Sequence, residues 1–225
     1  MPHVSLDHDV LLALLPIESV PAMSAWLGGE ERDRLATIAS GPRRAQFLAG
    51  HVLARQLAVE FAGGEAEGWH FHVGAQQHRE LLGPGGRRLC LSISHSQDQV
   101  AAAIAERPIG VDLELSPEPR DWADLARRLF SPSTAAWVLG EGEAGRDRRF
   151  REAWALLEAQ GKRSGDGVQR AVFRRLCLDS CEGADADALA WPVGEGSLAL
   201  AGWRGMRVGA MGLSTAAMRA WTFSG

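Results

Sequence analysis

The chain has 225 residues, 46% hydrophobic and 23% charged, which suits one large or two small folded domains and excludes a disordered protein. A net charge of −4 carries no footprint of a general nucleic-acid binder. Three cysteines with no C-x-x-C pair argue against a disulfide scaffold and fit a reducing cytoplasm.

The apolar run from Val10 to Ile17 reads as a strand closed by Pro16. It is too short to span a bilayer and lacks the basic flank of a signal peptide, so a soluble cytoplasmic protein is expected. The stretch from Ser24 to Gly63 reads as helix in two pieces, broken at Ser40-Gly41-Pro42. In the second piece Phe47, Leu48, Val52, Leu53 and Leu57 form an apolar stripe, with Arg44, His51 and Arg55 outside it. "WHFHV" alternates like a strand, "LGPGGRR" is a turn, and "LCLSISHS", "QVAAAIAE" and "IGVDLEL" follow as closely spaced strands, suggesting an antiparallel meander.

After Pro117-Glu118-Pro119 the pattern turns helical. "FSPSTAAWVLG" carries Ser131 as N-cap, Pro132 at the first helical position and Gly140 as a stop. "RDRRFREAWALLEAQGKR" is a second helix ending near Gly161 or Gly165. "RAVFRRLCL", "GSLALAGW" and "MRVGAMGLS" read as strands. The expected fold is α+β, with two similar halves (1–107 and 108–225) meeting near Arg107-Pro108.

Two features in this pattern carry chemistry. Asp112 and Glu114 stand two apart in a strand, so both point to one face while Val111 and Leu113 point to the other. Such a pair is either a solvated strand edge or a holder for a hard cation such as Mg²⁺, which takes carboxylate oxygens. Trp154, Glu158 and Lys162 are spaced i, i+4, i+8 and share a helix face. In an isolated helix this would be an amphipathic border; set against the Asp112/Glu114 strand it supplies a third acid and a cation. Arginines also crowd at Arg43-Arg44, Arg127-Arg128 and Arg146 to Arg151, leaving anionic ligands possible.

"SISHS" (Ser92–Ser96), "PIGVDLE" (Pro108–Glu114) and "WALLEAQGK" (Trp154–Lys162), in that order, resemble the three signature blocks of the 4′-phosphopantetheinyl transferases. "RRAQFLAGHVLAR" and "LARRLFSPS" are similar to the segments that precede and separate those blocks, so the resemblance runs from Arg32 to Lys162. The spacing is similar to the longer, two-half, monomeric group, which implies an active site in the cleft between the halves.

The resemblance further implies transfer of the 4′-phosphopantetheine arm of coenzyme A to a serine of an acyl, polyketide or peptidyl carrier protein, with release of adenosine 3′,5′-bisphosphate. Neither nucleic acid nor membrane is an expected partner. By motif position, Asp112, Glu114 and Glu158 would hold Mg²⁺, and Lys162 would pair with phosphate oxygens. His95, with Arg44 and then Arg34 and Arg43, would meet the nucleotide's phosphates. Glu158 or a metal-bound water would take the serine's proton. The segment from Trp122 to Gly140 is expected to face the carrier.

The chain departs from the family pattern. Leu157 stands where the family has a lysine, removing a cation expected to touch phosphate. A charged hydrogen bond is worth about 1.5–3 kcal/mol, roughly ten- to hundred-fold in rate or binding. Arg151 and Arg163 are candidates to compensate. Otherwise the chain would be an impaired, transferase-like protein that binds coenzyme A or a carrier without turnover, or, more remotely, a Mg²⁺-dependent phosphohydrolase. Ser92 replaces an asparagine, and "HRELL" stands where the family has a Gly-Lys-Pro turn. His3, His8, His51, His70, His72 and His78 read as surface or strand residues, with His51 a minor candidate for the nucleotide site. Trp154 reads as core packing that fixes the Glu158 helix.

Overall fold

The computed structural model describes residues 8–74, 78–115, 118, 120–167 and 170–225, so His3, Pro117 and Pro119 lie outside the described residues. The fold is α+β, and the chain forms two compact units: Met1–Ile109 with Met206–Leu213, and Gly110–Gly205 with Ser214–Gly225.

The first unit is a six-stranded sheet backed by a long helix. Its strands are β1 (Val10–Pro16), β2 (His70–Val73), β3 (Arg79–Leu82), β4 (Arg88–Ser96), β5 (Gln99–Ala105) and β10 (Val208–Met211). Their order is β10-β1-β5-β4-β3-β2, so β2 to β5 form the expected meander. Two helices, α1 (Gly29–Thr37) and α2 (Gly41–Ala62), are separated at the expected break. Ser40 caps α2 by accepting the Arg43 N–H, and Gly63, at φ 78°, ends it in a left-handed conformation that suits glycine. Val52, Leu53 and Leu57 are fully buried with Leu11, Leu89, Val100 and Ile104, each such side chain contributing about 1.5–3 kcal/mol. Gly50 lets the helix approach closely, since a Cβ there would lie 2.7 Å from Ile93 Cγ2.

The second unit holds β6 (Gly110–Glu114), α3 (Trp122–Leu129), α4 (Pro132–Leu139), α5 (Glu143–Ser164), α6 (Arg170–Phe173), β7 (Cys177–Ser180), β8 (Ala188–Val193), β9 (Gly196–Ala201) and β11 (Arg219–Ser224). Its sheet runs β6-β9-β8-β11-β7. Ser131 caps α4 with Pro132 in its first turn, and α5 stops at Gly165 in a left-handed conformation. Helix α5 lies directly on β6: a Cβ at Gly110 would sit 1.9 Å from the Ala159 carbonyl oxygen, so only glycine permits this approach.

Three expectations change. The "IGVDLEL" strand does not extend the meander but pairs antiparallel with β9, because its partner lies far downstream. "RAVFRRLCL" begins with the helical turn α6, and extended pairing starts only at Cys177, where β11 supplies a partner. The strands β3, β8 and β11 have no counterpart in the sequence reading. Among the described residues no helix is long and apolar enough to cross a membrane.

Candidate active site

Three of the predicted side chains meet where α5 lies on β6, and a fourth, Glu114, is near enough for its charge to act on them. Glu158 and Lys162 are one turn apart on α5, hence on one face. Asp112 is buried on β6, and the Lys162 ammonium donates to Asp112 Oδ1 at 2.7 Å and to the Val111 carbonyl at 2.9 Å. Glu158, half-buried, is held up at about 7 by burial and by the Asp112 charge. Lys162 opposes that rise, while a hydrogen bond to Asp112 and the charge of Glu114 add to it. Glu114, half-buried at the end of β6, therefore belongs to the same cluster.

The chemistry of this set is readable from its atoms. Three carboxylates face one ammonium, so the cluster has an excess of negative charge that a divalent cation would relieve. All its anionic donors are oxygens, the donor type that Mg²⁺ prefers. Among the described residues no three His, Cys, Asp or Glu side chains stand ready-formed as a metal cage; here the Lys162 ammonium lies on Asp112 instead. The residues thus fit a hard cation by donor type and charge.

The stretch that carries this cluster also matches known proteins. The model described as the 4′-phosphopantetheinyl transferase superfamily matches residues 108–192. The 4′-phosphopantetheinyl transferase HetI of a Nostoc species is 26% identical over 194 residues, covering 83% of this chain and 81% of that protein. The 4′-phosphopantetheinyl transferase AcpT of Salmonella typhimurium is 31% identical over 156 residues, covering 67% of this chain and 74% of that protein.

The chain belongs to the 4′-phosphopantetheinyl transferases. It is accordingly a transferase enzyme.

The other predicted residues of this transferase lie in its first unit. His95 is exposed near the end of β4, opposite Val100. Arg43 and Arg44 are exposed in the first turn of α2, and Arg34 is exposed on α1. Arg44 Nη1 donates to the Leu35 carbonyl at 2.6 Å, joining the start of α2 to α1. Gln46 Nε2 donates to the Gln97 carbonyl at 2.9 Å, which ties the same end of α2 to the turn just after His95. These four residues thus share one end of the unit.

One expectation is corrected. His51 is neither a surface nor a strand residue. It is buried on α2, stacked between Phe47 and Phe71 with both ring centroids at 4.0 Å. Burial lowers its pKa against the pull of Glu31, and Nδ1 donates to the Glu31 carboxylate Oε1 at 2.6 Å. The fully buried Arg55 completes the network, forking onto Glu31 through Nη1 (3.0 Å) and Nη2 (2.6 Å). Glu31 is pulled down to about 2 because bonds from His51, Arg55 and the Gly28 N–H outweigh its burial. The sequence reading missed Glu31, and no local spacing signals a partner 20 to 24 residues away.

Leu157 stands where the family pattern has a lysine. Its side chain is fully buried in the core of the second unit, about 100° around α5 from Glu158. The position serves packing in this chain. Trp154 does pack as expected, stacked on Phe150 at 6.3 Å and edge-on to Phe173 at 5.5 Å.

Proposed function

We propose that this transferase moves the 4′-phosphopantetheine arm of coenzyme A to a serine of an acyl, polyketide or peptidyl carrier protein, with Mg²⁺ as cofactor. The observation that carries this reading is the gathering of Asp112, Glu114, Glu158 and Lys162 at the contact of α5 with β6.

Asp112, Glu114 and Glu158 would hold the cation. When bound, it neutralises charge on the pyrophosphate and on the leaving group. Lys162 adds a point charge for phosphate oxygens one turn from Glu158. The serine Oγ bonds to the pantetheine-side phosphorus while that phosphorus loses its bond to the bridging oxygen, freeing adenosine 3′,5′-bisphosphate. The serine's proton passes to Glu158. His95, Arg44, Arg43 and Arg34 are assigned to the nucleotide's phosphates, a role supported by their shared position at one end of the first unit. Three free cysteines agree with work in a reducing cytoplasm.

The test is incubation with coenzyme A, Mg²⁺ and a panel of apo-carrier proteins, followed by mass spectrometry. One phosphopantetheine arm should appear on at least one carrier, and chelation should stop the addition. No addition to any carrier at high enzyme concentration refutes the reading.

A further inference from the structure

Arg151 lies eleven residues before Lys162 and seven before Glu158, which at 100° per residue places all three within about 20° of one line along α5. Arg163, by contrast, lies about 100° from Lys162, and its Nη1 donates to Gln160 at 3.0 Å. Of the two arginines named as candidates to compensate for Leu157, only Arg151 is on the face of the acids.

The surroundings of Arg151 define what it does there. It is buried, and its guanidinium lies 5.1 Å over the ring of Trp122, the first residue of α3. Its Nη1 donates at 2.9 Å to the carbonyl of Glu195, in the two-residue turn between β8 and β9. The residues that follow this carbonyl clasp Glu114. A Cβ on Gly196 would sit 2.2 Å from the Glu114 carbonyl oxygen, and Ser197 is the register partner of Glu114. Arg151 therefore grips both the hairpin that pairs with the end of β6 and the helix that β6 leads into.

We infer that Arg151 is a positioning residue for the acid cluster: through the Glu195 carbonyl and the Trp122 ring it fixes Glu114 opposite Glu158. This rests on the reading of the cluster as the cation site and adds a residue that the signature blocks do not contain. The bond to Glu195 is charge-assisted, so it is of the strong kind. The stack on Trp122 needs the planar fork, which lysine lacks.

The test compares wild type with Arg151→Leu, Arg151→Lys, Glu114→Gln and the double variant Arg151→Leu/Glu114→Gln. The readouts are the Mg²⁺ concentration for half-maximal transfer, Mg²⁺ binding by calorimetry with coenzyme A present, and the melting temperature. Loss of a residue that orients a metal ligand weakens metal affinity by about ten- to hundred-fold, and Arg151→Leu should fall in that range. Arg151→Lys should shift it less, by about threefold, because charge survives without the stack. In the Glu114→Gln background Arg151→Leu should add less than about twofold, since both changes act through one carboxylate. A lower melting temperature with unchanged Mg²⁺ dependence overturns the inference, as do effects that multiply in the double variant. Should Arg151→Leu not fold, Arg151→Lys decides: the same Mg²⁺ dependence as wild type overturns the inference. A wild type that transfers without any divalent cation overturns the reading of the cluster itself. A wild type that needs the cation, with an Arg151→Leu variant that needs no more of it, overturns this inference alone.

Discussion

Replacing Glu31 with alanine tests the first unit's buried network. Glu31 receives two bonds from Arg55, one from His51 and one from the Gly28 N–H, the last at 2.8 Å. Without it, the fully buried Arg55 keeps the Trp69 carbonyl at 3.1 Å and the His51 carbonyl at 3.1 Å but loses its counter-charge. Breaking a buried ion pair from one side costs about 3–5 kcal/mol, a large share of the roughly 5–15 kcal/mol available to a folded protein. At about 2–4 °C per kcal/mol for a chain of this size, the melting temperature should fall by roughly 6–20 °C. The pH dependence has a definite sign. The folded Glu31 carboxyl is at about 2 against an ordinary 4.5, so its stabilisation is full above 4.5 and is lost as pH falls towards 2. Denaturant unfolding of wild type and Glu31→Ala at pH 7 and pH 3 measures both effects. The two proteins should differ most at pH 7 and converge at low pH. An alanine variant as stable as wild type at pH 7, or a gap that widens in acid, refutes the reasoning.

Other outcomes follow from the second unit. Glu158 holds its proton to about 7, so Mg²⁺ binding should release protons and tighten as pH rises from 6 to 8, measured by calorimetry in buffers of different ionisation heat. The same raised value means that the free protein's stability should decline as pH rises from 4.5 to about 7, because the unfolded carboxyl loses its proton first; excess Mg²⁺ should flatten that decline. Leu157→Lys places an ammonium at a fully buried site, so the melting temperature should drop; a variant of unchanged stability would show that position 157 reaches solvent.

The parts of this protein written in local patterns were legible in its sequence. The cap Ser131, the break at Ser40-Gly41-Pro42 and the i, i+4 spacing of Glu158 and Lys162 depend on neighbours within a few residues, and each takes its expected place. Alternation put Asp112 and Glu114 on one face, yet their burial came from α5, which packs on Gly110 through Ala159, some fifty residues further along the chain. Long-range pairing was not legible. Strand β10 reads as a strand, but its parallel pairing with β1, anchored by Arg207 on Asp9 at 3.1 Å, joins opposite ends of the chain. His51 and Arg55 fall outside the apolar stripe of α2 and so resemble surface residues. Distant partners, Glu31 on another helix and the ring of Phe71 among them, make them core. Leu157 departs from the motif, and the burial of its side chain in the core of the second unit was not legible from that departure.

The most direct measurement is the mass of an apo-carrier protein after incubation with coenzyme A, Mg²⁺ and either wild type or a folded Asp112→Ala variant. Wild type should add one phosphopantetheine arm and the variant none at any Mg²⁺ concentration. Equal addition by both proteins would contradict the assignment of the carboxylate cluster as the site of transfer.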